Sequence, residues 1–116
     1  MLDQNRIEPF LADKAAAEAR RQEAIREAHE AFNRASLVEK ARHAAEYESA
    51  SARWDAVKSS PDAPNYEAAR QAFERSKEPA NLQAARCALA EAVRQADEEY
   101  RDAVSVIAQR HNITVH

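Results

Sequence analysis

Glycine is missing from all 116 residues. Hairpin turns, bulges and phosphate-cradling loops need backbone positions at φ > 0, and glycine is their default occupant. Rossmann domains, P-loops, β-sandwiches and nucleophile elbows are therefore excluded at the outset. There is a single cysteine, Cys87, so an internal disulfide is impossible and a stapled secreted scaffold is not indicated. Large apolar side chains are scarce as well. Leu, Ile, Val and Phe total 18, while alanine alone supplies 28 residues. Such a shortage approaches the composition of disordered chains, but the formal net charge is only −3, without the imbalance that disorder usually requires. No long hydrophobic run exists, and the opening MLDQNRIEPF lacks an apolar h-region, so neither a membrane span nor an export signal is expected. Neither sign of charge dominates any long stretch, so strong phosphate binding and DNA mimicry both lack support.

What remains is an all-α chain with a thin core, of a length that fits one domain, 1–116. Pro9 reads as an N1 proline. From residue 10 to 58 neither proline nor glycine intervenes, and Ala, Glu and Arg dominate, which predicts one long helix. Pairs such as Glu30–Arg34 at i,i+4 support it. Residues 59–65, with Pro61 and Pro64, form the clear loop. Asn65 would cap a second helix over 66–77, Pro79 would kink it, and a third segment would run over 80–110. Residues 111–116, with Ile113, Thr114 and Val115, read as a frayed or extended tail.

Helical phase defines the faces. Leu82, Ala85, Leu89, Val93, Ala96, Tyr100, Val104 and Ile107 share one stripe. In the first helix Phe10, Ala17, Ile25, Ala28, Phe32 and Ala35 share another, resumed by Tyr47, Ala50, Trp54 and Val57. Between these blocks the face turns polar at Ser36, Glu39, His43 and Glu46. Leu37, Val38, Ala41 and Ala45 point the other way. Ser36 with Glu39 matches a capping box, so a break over 33–36 competes with a continuous helix that buries different faces at different heights; the continuous helix is the favoured reading. Helix lengths match well enough to predict an antiparallel hairpin in which residue i lies near level 124 − i. Phe32, Trp54, Phe73, Leu89 and Tyr100 would then be the most buried large residues.

Chemistry is sparse. Glu39, His43 and Glu46 share a face, as a metal or acid–base site around His43 would need, although a solvated face gives the same pattern. A Glu-x-x-His pair of the di-iron type is missing, because Arg26, Lys40 and Ala108 precede His29, His43 and His111 by three. Under the hairpin register, Glu39, His43, Glu46 and Arg86 would form a polar hinge layer at the Pro79 kink, with His43 donating to a carbonyl that the proline leaves open. Cys87 lies off the apolar stripe and has no base beside it, which argues against a nucleophile. Lys14, Arg20, Arg21 and Arg26 give a basic stretch usable by nucleic acid, but Glu18, Glu23 and Glu27 interleave with them.

Alanine-rich helical hairpins occur among phage virion and assembly proteins, secretion-system chaperones and small inhibitors. This is a likeness of composition and shape and transfers no residue roles. The expectation is a non-enzymatic protein–protein interaction module: a self-associating accessory, assembly or inhibitor protein of a bacterium or phage. It would be cytoplasmic, need no cofactor or metal, and pair with itself through Leu37, Val38, Ala41 and Ala45 as well as with another protein. Two hairpins would complete a bundle. Nucleic acid is the less favoured partner, and a membrane is not expected.

Overall fold

A computed structural model describes residues 4–112. Among the described residues the regular structure is entirely helical, in the order α1 (Gln4–Val57), α2 (Tyr66–Ser76) and α3 (Gln83–Arg110). The all-α class follows the composition.

Helix α1 is continuous for 54 residues. It does not break over 33–36. Ser36 is buried, on the same side as Ala50 and Val57. Exposed charges brace the outer faces. Arg26 bonds both Glu23 and Glu30, and Arg42 bonds Glu39 at 2.6 Å and Glu46 at 3.0 Å. Glu30 thus pairs backwards with Arg26 and not forwards with Arg34. Pro9 lies inside α1, not at its first position. The proline therefore omits one intrahelical hydrogen bond, the one to the Asn5 carbonyl.

The connection after α1 winds without glycine. Ser60 N–H donates to Val57 O (2.8 Å), Ala63 to Ser60 (2.9 Å) and Tyr66 to Ala63 (3.0 Å), so successive turns deliver the chain into α2. Asn65 occupies the expected cap position, but its side chain makes no capping bond. Pro79 is not a kink within a helix. Helix α2 closes at Ser76 and α3 opens at Gln83. The residue before a proline is forced away from the α region, so the helix ends beforehand. The Arg75 carbonyl, expected to be left open, accepts the Glu78 N–H at 3.2 Å. Asn81 Oδ1 accepts the Gln83 N–H at 3.0 Å and satisfies an opening amide of α3.

The described residues form two compact units. The first takes residues up to Phe32 and from Arg86 onward; the second is Asn33–Ala85. In the first unit, α1 and α3 run antiparallel. Asp13 meets His111, at the level the sequence register gives, and Arg21 meets Asp97, more than a turn from it. In the second, α1 and α2 run antiparallel, with Tyr47 against Phe73 and Trp54 against Tyr66, about one turn off the register.

Alanines make up five of the seven buried apolar residues among those described. Ala17 (2% exposed) and Ala108 (3%) are buried with Ala96 and Ile107 in the first unit; Ala50, Ala69 and Val57 are buried in the second. Phe32, Trp54, Phe73, Leu89 and Tyr100, expected to be the most buried large residues, are only half-buried. Small buried residues let backbones approach, and the rings keep one edge wet. Trp54 stacks on Phe73 (centroids 6.3 Å apart, planes at 14°), and the Arg21 guanidinium lies 5.7 Å from the Tyr100 centroid.

Candidate functional site

The side of α1 turned away from these contacts carries the expected seam. Leu37 is 69% exposed and Val38 65%, and Ala41 and Ala45 are exposed beside them. Spacings of one, four and eight from Leu37 keep the four on one helical face. Ala44 and Glu48 extend that face, and both are exposed. Val38 also borders a shallow groove of about 530 Å³, floored by Ala35, Ala84 and Ala85 and edged by Arg34 and Asn81. The groove is open and small-residue lined, a place for a side chain more than for an enclosed substrate.

Across α1 lies the polar layer. The His43 ring nitrogen Nε2 is hydrogen-bonded to the Glu78 carbonyl oxygen. A carbonyl can only accept, so Nε2 must carry the proton and donate. The contact falls on the 75–81 backbone as expected, but at Glu78 and not at Arg75. Within its own unit Glu39 pairs with Arg42, which also holds Glu46 and whose guanidinium pKa is raised by the Glu39 hydrogen bond. Arg86 is exposed and belongs to the first unit. Nε2–H donating to the carbonyl leaves Nδ1 as the free ring acceptor, while both carboxylates pair with one arginine. Among the described residues no group of three or more His, Cys, Asp or Glu side chains is placed to hold a metal ion.

The basic stretch is partly occupied. Arg21 bonds Asp97 at 2.7 Å and Glu18 at 2.9 Å, and the Asp97 bond raises its pKa. Arg26 is held between Glu23 and Glu30. Lys14 and Arg20 are exposed. Two engaged cations out of four weaken the face as a phosphate-binding surface.

Sequence reasoning missed a cluster at the end of α3. His111 Nε2 lies 2.7 Å from Asp13 Oδ2, and its ring meets Phe10 edge-on at 6.3 Å. The hydrogen bond from His111 holds the Asp13 carboxyl below its ordinary value. His111, the first residue of the expected tail, is thus tied back to α1, and its N–H donates to the Ile107 carbonyl; residues 113–116 of that tail lie outside the described residues. The register itself placed 111 opposite 13, so the signal was present but unused. Cys87 is exposed.

No helix among the described residues is long and apolar enough to cross a membrane. No family model matches the chain, and neither a curated protein nor a solved structure matches it significantly.

Proposed function

We propose that this chain is a non-enzymatic protein–protein interaction module, a helical hairpin that self-associates into a bundle and, in that form, docks on a protein partner. A cytoplasmic accessory, assembly or inhibitor role in a bacterium or phage is the setting we favour. One observation carries the reading: Leu37 and Val38 stand adjacent and exposed on α1, flanked by Ala41 and Ala45. A chain with only 18 Leu, Ile, Val and Phe residues has few large apolar groups to leave in water. Scattered exposed apolar residues are ordinary, but a contiguous patch on a regular helix is what an interface needs. The thin alanine core points the same way, because further burial would come from association. Sedimentation equilibrium over a micromolar concentration series tests it. The expected result is a mass that rises above 13.0 kDa with concentration; a constant monomer mass refutes self-association.

A further inference from the structure

Resting on that self-association reading, we propose that the occupant of the exposed α1 face is α1 of a second copy, antiparallel, with the two-fold axis at Ala41. This face is self-complementary in size and charge. An antiparallel pair with its axis at residue 41 brings each residue level with the partner residue equally far on the other side of 41. Arg34 lies seven residues before Ala41 and Glu48 seven after it, two full turns each way. Both stand within about 20° of Ala41 around the helix, so each faces across the seam. Arg34 of one copy then meets Glu48 of the other, twice over. Within the described residues of one chain, neither Arg34 nor Glu48 has an ion pair, although Arg26, Arg42, Arg70 and Arg94 on exposed helix faces all do. The two charges that the antiparallel arrangement would match are thus ones the single chain leaves unmatched.

Size follows the same symmetry. Leu37 falls within one residue's rise of Ala44 of the second copy, on the same edge of the seam, and Val38 likewise of Ala45. Large side chains meet small ones, and Ala41 meets Ala41 on the axis. Alanine there allows close helix approach, and all five positions are exposed in the single chain. A parallel pairing lacks these features: it sets Arg34 against Arg34 and Glu48 against Glu48, which repel. A seam of about four helical turns is smaller than the ~1,600 Å² of a standard stable interface. The dimer is accordingly expected to be concentration-dependent.

Sedimentation velocity on the full chain tests the arrangement by charge exchange. Arg34→Glu and Glu48→Arg should each raise the dimer dissociation constant by at least about tenfold, and the double variant Arg34→Glu/Glu48→Arg should return it toward wild type. Both positions are solvent-exposed on α1, and circular dichroism checks that helix content is kept. Single variants without effect, or a double variant as weak as the singles, would overturn the register while leaving self-association standing. A second measurement is independent of charge. In a Cys87→Ser background, Ala41→Cys should form a disulfide-linked dimer under mild oxidation, since the two residues meet on the axis; a dimer that does not cross-link there uses another face. A wild-type chain that remains monomeric throughout removes the self-association reading and this arrangement with it.

Discussion

Ile107→Ala is the sharpest probe of where the stability resides. Ile107 is 6% exposed and lies in the first unit beside Ala108, among alanines. The substitution deletes three carbon groups from an almost dry site. At ~0.8 kcal/mol per buried CH₂ the transfer cost is about 2.4 kcal/mol. A residual cavity adds to this, and partial collapse of a thin interface takes some back, which gives about 2–4 kcal/mol. For a chain of this length each kcal/mol lowers Tm by roughly 3–6 °C, so a drop of at least about 6 °C is expected. Thermal denaturation followed at 222 nm, repeated by guanidinium titration, measures it. Leu37→Ala is the control: at 69% exposure it should move the melt of the monomer by less than about 0.5 kcal/mol. If Ile107→Ala melts within 2 °C of wild type, or if Leu37→Ala is the more damaging in dilute monomer, the assignment of inside and outside on these helices is wrong.

His43→Leu should retain helix content and cost less than about 1.5 kcal/mol, because the Glu78 carbonyl it releases can turn to water; hydrogen exchange at the Lys77 and Glu78 amides should quicken, and unchanged exchange would show that the contact does not hold the end of α2. Asp13→Asn should loosen the end of α3, read as faster exchange at the His111 and Asn112 amides, which bond Ile107 and Gln109 carbonyls at 3.1 Å each. The same pair has a pH signature. Asp13 is held below its ordinary value of 3.8 by His111, so its contribution is present above that value and lost as pH falls through the lower folded value. Wild type should therefore lose more stability than Asp13→Asn below about pH 4, and identical acid profiles would refute the linkage.

Which parts of this molecule could be read from its sequence follows from the range of the forces involved. Helix boundaries near Val57, Tyr66, Ser76 and Arg110 were legible because propensity and proline act locally. The exposed side of α1 was legible because a 3.6-residue period assigns Val38 and Ser36 to opposite faces whatever α1 packs against. Proline chemistry was misjudged twice, as an N1 cap at Pro9 and as a kink at Pro79. Pro9 read as the helix start and Pro79 as a bend between helical stretches, and local preference alone did not decide where the hydrogen bonds go. Core rank was misjudged for a different reason. Volume made Trp54 and Phe73 look central, but the buried positions go to small residues that permit close approach, here Ala50 and Ala69. Asp13–His111 and Arg21–Asp97 span 98 and 76 residues, and such pairs depend on a register that the apolar pattern gives only to within about two turns.

The surface ion pairs bear on why an interface is the favoured reading. Most lie at i,i+3 or i,i+4 on exposed faces, such as Arg94 between Glu91 and Glu98 or Arg70 with Glu67. Pairs of this kind contribute about 0–1 kcal/mol each and are screened by salt. They keep a helix helical but do not hold one helix against another. Among the described residues the contacts that do so are alanines, a few half-buried rings, the Arg21–Asp97 and Arg110–Asp13 ion pairs and the His111–Asp13 hydrogen bond. Alanine has little apolar surface to bury, so each helix pair gains little per residue. Helices built this way are easily extended by adding another helix with the same small residues, because alanine imposes few steric demands on a partner. In the proposed pairing, Leu37 and Val38, placed on the outer face of α1 between Arg34 and Glu48, which have no ion pair among the described residues, would supply the specificity that an alanine surface alone would lack.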